Sequence, residues 1–178
     1  MPVATDLIIE RGGNVTIVAA NLFLLDLAAQ GPELAGALGV AAPASWPPEH
    51  NGPEMFAWVR RLLEEHPDEP GYNTWFVVGD GQLCGTCGYK GPPNDAGSVE
   101  IGYSVIPEAQ RRGFATGAVR LLVERALRDQ RVTAVRAETL PEGMASQAVL
   151  RRCGFAEAGM RHDPEDGDVL CFELRRAY

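Results

Sequence analysis

The sequence has no apolar run long enough to span a bilayer, which needs about 20 consecutive apolar residues. Its first residues, 1–6, also lack the basic start of a secretory signal peptide, so we expect a cytoplasmic protein without a membrane partner. Basic side chains are scarce: 16 Lys and Arg stand against 24 Asp and Glu, which gives a net charge of −8. This balance argues against a general nucleic-acid partner, because phosphate backbones attract positive surfaces.

Low-complexity runs, internal repeats and linkers rich in Pro, Gly or Ser are absent as well. The length of 178 residues suits one domain with a hydrophobic core, and 46% of the residues are hydrophobic. We therefore predict a single domain over residues 1–178.

Cysteine is rare, with four residues, and two of them, Cys84 and Cys87, have the spacing of a zinc or redox pair. The segment around them, 82–89, is predicted to be a strand. Side chains three residues apart on a strand point to opposite faces, so both thiols cannot readily bind one ion. Cys153 and Cys171 are isolated in the sequence. We predict four reduced structural thiols and no metal site.

The chain also lacks two common nucleotide-binding motifs, the Gly-x-Gly-x-x-Gly fingerprint and the Gly-Lys-Ser/Thr of a P-loop. The stretch 113–117, Gly-Phe-Ala-Thr-Gly, contains two glycines but no lysine. A protein that binds the phosphates of a nucleotide is therefore the third hypothesis, which tight binding of ATP or NAD would support.

The most informative stretch is 99–117, which predicts a strand, a proline stop, a basic loop and a helix. Apolar and polar side chains alternate along 99–105, and Pro107 cannot continue a sheet ladder. Apolar residues then recur at helical spacing, so residues 110–116 form a helix N-terminus. Free N–H groups and the positive end of the helix dipole favour a phosphate or pyrophosphate there. The candidate anion-binding residues are Arg111, Arg112, Gly113, Phe114, Ala115 and Thr116.

The predicted elements follow the order strand, helices, three strands, helix, strand, helix and two strands. Alternating short strands with turn residues between them favour antiparallel pairing, and the last two strands form a hairpin around residues 163–167. The order therefore predicts an α+β fold built on one mixed, mostly antiparallel β-sheet flanked by helices.

Two motifs resemble those of the GNAT acyltransferases, the N-acetyltransferase superfamily that uses acetyl-CoA. Residues 110–115, Gln-Arg-Arg-Gly-Phe-Ala, match every fixed position of the superfamily's pyrophosphate loop, Gln/Arg-x-x-Gly-x-Gly/Ala. Residues 146–155 are similar to Asn-x-x-Ser-x-x-Val-Leu-x-x-x-Gly-Phe and resemble most closely the RimJ/RimL-like branch. Two positions depart: Gly143 replaces the asparagine, and Leu150 stands where many GNATs have a tyrosine that reprotonates the CoA thiolate. The resemblance covers residues 74–175.

The resemblance implies a GNAT-like three-layer fold whose sheet is splayed where the fourth and fifth strands part. In the family the pantetheine arm of acetyl-CoA lies in that gap, here between strands 100–106 and 132–140. The oxyanion of the tetrahedral intermediate would meet a backbone N–H at the strand end, near Val105 or Ile106. Ser146 would hydrogen-bond the CoA thiol or the pantetheine, although it suits a structural role as a helix N-cap equally well.

The acceptor amine has to lose a proton before it attacks, because a lysine-like amine has a pKa of about 10.4. The candidate base is Glu100, on the predicted strand face shared with Gly102 and Ser104, a position equivalent to the catalytic glutamate of histone-type acetyltransferases. The alternative interpretation of Glu100 is an edge carboxylate paired with an arginine. Glu138 is a second candidate base. The histidines are predicted to be surface residues; they are His50, His66 and His162.

The leading hypothesis is an acetyl-CoA-dependent N-acetyltransferase that acts on a primary amine, either a protein N-terminus or a small molecule. Leu150 and Gly143 leave open an acyl-CoA-binding module with little or no catalysis. The edge of the predicted C-terminal hairpin offers a surface through which two copies could form a homodimer. Trp46, in the irregular loop 41–53, either anchors that loop to the core or walls a substrate pocket.

Overall fold

The computed structural model describes residues 7–177, and this part of the chain forms five α-helices and eight β-strands. The strands are β1 (Ile9–Gly12), β2 (Val15–Ala19), β3 (Thr74–Gly79), β4 (Gln82–Tyr89), β5 (Ser98–Val105), β6 (Ala134–Thr139), β7 (Ala156–Asp163) and β8 (Gly167–Arg175). The helices are α1 (Leu22–Leu27), α2 (Gly31–Leu38), α3 (Pro53–Glu65), α4 (Phe114–Arg128) and α5 (Met144–Arg152). A short 3₁₀ turn, Pro107–Ala109, lies between β5 and α4.

All eight strands belong to one sheet, in the order β1-β2-β3-β4-β5-β6-β8-β7. Neighbouring strands are antiparallel except β5 and β6, which run parallel. Helix α4 connects these two strands, because a parallel pair requires a crossover connection. The predicted α+β fold with a mixed, mostly antiparallel sheet flanked by helices is therefore confirmed.

The sheet opens between β5 and β6. Their parallel register ends where Ile101 lies opposite Ala137. Beyond this point β5 continues to pair with β4 as far as Val105, whereas β6 continues to pair with β8 as far as Thr139. The two strands thus follow different neighbours and leave a gap at the place that the family resemblance implied.

Helix α4 lies at the centre of the core. Its apolar face is buried, and Ala118, Val119 and Leu122 are completely inaccessible to solvent. The hydroxyl of Tyr89, on β4, donates a hydrogen bond to the Leu122 carbonyl. Because this bond and the apolar packing hold α4 against the sheet, the start of the helix has a defined position close to the end of β5.

Trp46 anchors its loop to the core, which was the first of its two interpretations. The side chain is buried, and its Nε1 donates to the Ala28 carbonyl at 2.8 Å. The ring centroid lies 6.3 Å from that of Phe76. Trp46 lines neither of the two cavities described below.

The four cysteines are free thiols. Cys84 and Cys87 are buried in β4, and burial raises the pKa of both thiols. Within residues 7–177, no three His, Cys, Asp or Glu side chains are grouped so that they could hold a metal ion. The helices of the same segment include none that combines the length and the apolar character needed to cross a membrane.

Candidate active site

The predicted anion-binding loop forms the N-terminus of α4. Gly113 precedes the helix with a φ of 82°, and no side chain caps the first turn. The Gly117 N–H donates to the Gly113 carbonyl at 2.9 Å, which is the first hydrogen bond of the helix. The N–H groups of residues 114–116 therefore have no acceptor within the helix. The prediction that residues 110–116 form a helix N-terminus is confirmed, and these N–H groups can donate to an anion.

The two arginines of this loop have different surroundings. Arg112 forms an ion pair with Asp80, in the turn between β3 and β4, and its guanidinium lies 5.0 Å from the centre of the Phe114 ring. Arg111 has a φ of 57°, which is uncommon for a residue with a side chain, and it forms no salt bridge with the residues that the structure describes. Arg111 is therefore the loop cation whose charge is not already balanced.

The position of the Phe114 side chain limits how this residue can contact a ligand. The ring is only 1% exposed, and a Cβ placed on Gly79 would lie 2.2 Å from its Cε1. The ring thus occupies the space that the missing side chain of Gly79 leaves at the end of β3. Phe114 can meet an anion through its backbone N–H but not through its ring.

A cavity of about 490 Å³ lies beside the start of α4. Of the predicted anion-binding residues, Gly113 and Thr116 line it. It is also lined by Arg120 and Arg152, two cations that the motif-based prediction missed. Arg120 follows Thr116 by one helical turn, so its spacing could have indicated a place on the same helix face. Arg152 ends α5, and only the packing of α5 brings it to this cavity.

A larger cavity, of about 840 Å³, opens where β5 and β6 part, and we call it the gap cavity. Its walls come from β4, β5 and β6, from α3 and α5, and from the turn between β7 and β8. Ser146 and Glu138, two of the residues singled out in the sequence, line this cavity directly. Glu100 precedes the lining residue Gly102 by two positions on β5.

The two predicted oxyanion donors, Val105 and Ile106, differ in where their N–H groups point. The Ile106 N–H donates to the Cys84 carbonyl on β4 at 2.9 Å, and the Ile106 side chain is completely buried. Neither group of Ile106 is available to a ligand in the gap cavity. The structure therefore corrects the prediction for Ile106.

The backbone N–H groups that face the gap belong to Tyr103 and Val105. In an antiparallel pair, the hydrogen bonds to one neighbouring strand recur at every second residue. Because Ile106 donates to β4, the N–H groups of Val105 and Tyr103 point away from β4, toward the side of β6. Both residues lie beyond Ile101, which is the last residue of β5 that pairs with β6. Among the described residues, the Val105 N–H thus has no partner at the end of the strand, where an oxyanion donor was predicted.

Both candidate bases form ion pairs. Glu100 pairs with Lys90, whereas the alternative interpretation had expected an arginine. Glu138 accepts two hydrogen bonds from Arg161 on β7, at 2.6 Å each, and these hold the pKa of its carboxyl below the usual range. A carboxylate whose pKa is lowered in this way is a poor proton acceptor, so Glu138 remains the second candidate.

Tyr103 connects β5 to α5 across the gap. Its hydroxyl donates to the Ser146 carbonyl at 2.9 Å, and burial raises the pKa of the phenol.

Ser146 is the third residue of α5, and the N-cap residue is Gly143, so the alternative in which Ser146 caps the helix is wrong. Without a capping role, the half-buried hydroxyl of Ser146 is available to a ligand in the gap cavity.

His50 lies at the gap cavity although no sequence pattern marked it. Its side chain is 89% exposed, as predicted for a surface residue, yet it lines the rim of the cavity, and its φ is 65°. The neighbouring Asn51 fixes the loop, because its Oδ1 accepts a hydrogen bond from Thr86 at 2.6 Å. Only this docking of the loop on β4 brings His50 to the site.

Solved structures of acetyltransferases share this fold. RimL, a ribosomal L7/L12 alpha-N-protein acetyltransferase in complex with coenzyme A, matches with a TM-score of 0.71 at 17% identity, over 96% of this chain and 98% of that one. MccE, a microcin C7 self immunity acetyltransferase in complex with acetyl-CoA and AMP, matches with a TM-score of 0.66 at 15% identity, over 93% and 94%. The fold is thus that of acetyltransferases.

Sequence comparisons define the family. Residues 26–156 match the acetyltransferase (GNAT) domain, so the chain belongs to the GNAT acetyltransferase family. It is 27% identical over 152 residues to the uncharacterized N-acetyltransferase YjdG of Bacillus subtilis strain 168, which covers 84% of this chain and 90% of YjdG. The uncharacterized N-acetyltransferase p20 of Bacillus licheniformis is 29% identical over 103 residues, 54% of this chain and 58% of p20. The protein is an N-acetyltransferase with acetyl-CoA as its cosubstrate.

Proposed function

We propose that this protein transfers the acetyl group of acetyl-CoA to a primary amine, which attacks the thioester directly. The observation that carries this proposal is the gap between β5 and β6, where Val105 follows the lining residues Tyr103 and Ser104 and, in the described part of the chain, does not pair with β6. The free N–H groups at the start of α4 follow β5 closely in the chain, so one extended cosubstrate can reach both places.

Most of the predicted binding residues have a place in this proposal. The N–H groups of residues 114–116 donate to the pyrophosphate, and Arg111 supplies a positive charge that forms no salt bridge within residues 7–177. Ser146 hydrogen-bonds the thiol or the pantetheine. The Val105 N–H donates to the oxyanion that forms when the amine attacks the thioester carbonyl.

The acceptor is either a protein N-terminus or a small-molecule amine. RimL is an alpha-N-protein acetyltransferase and MccE a self immunity acetyltransferase, so these two structural neighbours do not point to one class of acceptor for this chain. A panel of N-terminal peptides, amino acids, polyamines and aminoglycosides tests the proposal, with release of the CoA thiol as the measurement. We expect saturable release with at least one of these amines.

The second candidate function is an acyl-CoA-binding module with little catalysis. It is favoured by Leu150, which is completely buried and places no hydroxyl near the gap, and by Gly143, which has no side chain. If acetyl-CoA binds in the calorimeter but no amine of the panel releases CoA, the result would support this module and contradict the proposed transfer to a primary amine.

Glu100 is proposed as the base that accepts the proton of the amine. Replacing Glu100 by Gln is expected to lower kcat by about 100-fold, because an amide cannot accept this proton and general bases contribute factors of this size. The affinity for acetyl-CoA, measured by calorimetry, is expected to stay unchanged. Replacing Glu138 by Gln is the comparison, with a smaller expected loss of kcat. A normal kcat in the Glu100 variant would show that Glu100 is not the base, and its ion pair with Lys90 would then be its only described role.

A homodimer through β7 is a further part of the proposal. In the described chain, β7 pairs with β8 alone, and all but the last of its residues are exposed. Such an edge can accept a strand from a second copy. Sedimentation velocity at micromolar concentration distinguishes the dimer from the monomer.

The cytoplasmic location of the protein stays a prediction.

A further inference from the structure

A residue whose buried hydroxyl has no hydrogen-bond partner in the described part of the chain lines the gap cavity. Thr139, the last residue of β6, is 8% exposed, and its Oγ1 has no partner within the described part of the chain. The residue lines the cavity beyond the point where β6 leaves β5. Buried polar groups are normally paired, because an unpaired one costs free energy. The Thr139 hydroxyl is therefore suited to a partner that the protein does not supply.

Most other polar side chains around this cavity already have protein partners. Thr86, Tyr103 and Ser104 donate hydrogen bonds to protein oxygens. Glu138 and Lys90 are held in ion pairs. Among the residues that the structure describes, the remaining buried side-chain atoms without a partner lie outside the cavity; they are Asn73 Oδ1 and Arg125 Nε.

The segment that follows Thr139 is held in place by the protein. Gln147 Nε2 donates to the carbonyls of Leu140 and Pro141, at 3.2 and 2.9 Å. Gly143 lies beside Thr139, and a Cβ on this glycine would be 3.8 Å from the Thr139 Cβ. The family motif has an asparagine at position 143, and this chain has a glycine there. The Thr139 hydroxyl is therefore a polar side-chain group next to a position that has lost its own.

We propose that the Thr139 hydroxyl hydrogen-bonds the pantetheine arm of acyl-CoA and is a binding residue for the cosubstrate. The inference rests on the proposed function, because it requires the arm to lie in the gap cavity. The arm carries amide groups and ends in a thioester, and their carbonyl oxygens accept a bond from a hydroxyl donor. Because Thr139 is more than nine-tenths buried, a linear arm between the strands reaches it more readily than a bulky amine.

Calorimetric titration of CoA, with no amine present, tests this role. Replacing Thr139 by Val removes the hydroxyl and keeps the shape, whereas Ser keeps the hydroxyl. We expect the Val variant to bind CoA roughly 5- to 10-fold more weakly, the effect of one hydrogen bond, and the Ser variant to bind like the wild type. Because the titration contains no acceptor, a loss of affinity cannot come from acceptor binding.

Thermal unfolding separates binding from a structural role. Since the Thr139 hydroxyl has no hydrogen-bond partner within residues 7–177, Thr139→Val is expected to keep or raise the melting temperature. Thr133 is the matched control, because its hydroxyl lies just before β6 and donates to the carbonyls of Ala96 and Gly97, at 3.1 and 3.3 Å. Thr133→Val is expected to show the opposite pattern, a lower melting temperature with unchanged CoA affinity.

The other outcomes each contradict the inference. Equal CoA affinity of Thr139→Val and the wild type would overturn it and leave the proposed function intact. Loss of affinity in both Thr139 variants, with lower melting temperatures, would mean that Thr139 acts through packing. Failure of the wild type to bind CoA would contradict the proposed function and this inference together.

Discussion

Replacing Gly113 by Glu is expected to reduce the affinity for acetyl-CoA by roughly 100-fold or more, because the change puts a negative charge into the anion site. Gly113 precedes α4 with a φ of 82°, and no heavy atom lies within 4 Å of where its Cβ would be. The new carboxylate is therefore free to project toward the pyrophosphate and repel it. A side chain also disfavours the left-handed conformation that orients the free N–H groups. Titration calorimetry measures the loss.

Gly39→Glu is the matched control for this substitution. Gly39 ends α2 with a φ of 69°, and nothing lies within 4 Å of its potential Cβ, so the variant gains the same charge and a similar backbone strain. It lines neither cavity, and we expect it to bind acetyl-CoA like the wild type. An equal loss of acetyl-CoA affinity in both variants would show that the effect comes from backbone strain and not from the added charge at the anion site. Wild-type affinity in the Gly113 variant would show that the loop does not bind the pyrophosphate.

Replacing Gly85 by Ala is expected to destabilise the fold by about 3 kcal/mol or more, because the added methyl group has no room. A Cβ on Gly85 would lie 2.1 Å from the Ser104 carbonyl oxygen and 2.9 Å from the Val105 Cα. Both are backbone atoms of β5, so β4 and β5 would have to separate at the end of the gap. We expect the melting temperature to fall by roughly 6–12 °C. Acetyl transfer should fall as well, because the Val105 N–H moves with its strand.

Gly102→Ala is the control on the facing strand. Gly102 lies opposite Gly88 in the β4–β5 register, and no heavy atom lies within 4 Å of its potential Cβ. We expect the free energy of unfolding to change by less than about 1 kcal/mol, since only the general effect of replacing glycine remains. Urea unfolding compares the two variants. Equal stability would contradict the close approach of β4 and β5 at Gly85.

The loop before α4 could be predicted because its determinants are neighbours in the chain. The proline stop at Pro107, the glycine at 113 and the apolar spacing beyond it are all visible in the sequence, and the helix begins at Phe114. The place of the Phe114 side chain could not be predicted in this way, because it depends on Gly79, which is remote in sequence. No local pattern shows that the ring fills the space beside that glycine.

The chemistry at the gap was predicted in part for a similar reason. Alternation along 99–105 indicated the strand, but it did not show which of its N–H groups pair with β4. That depends on the register between the strands, in which Ile106 donates to Cys84 and Val105 does not. Ser146 is also not the N-cap that one interpretation expected, because α5 begins at Met144, directly after its N-cap Gly143.

By itself, the sequence determined the order of the elements, the mixed antiparallel sheet, the helix start at the anion site and the family. These depend on periodicities and motifs among residues close together in the chain. Only the tertiary structure decided that Lys90 pairs with Glu100 and that, among residues 7–177, neither the Val105 N–H nor the Thr139 hydroxyl has a partner. The physical reason is that hydrogen bonds and packing act over a few ångströms in space, between groups whose separation along the chain carries no signal of their contact.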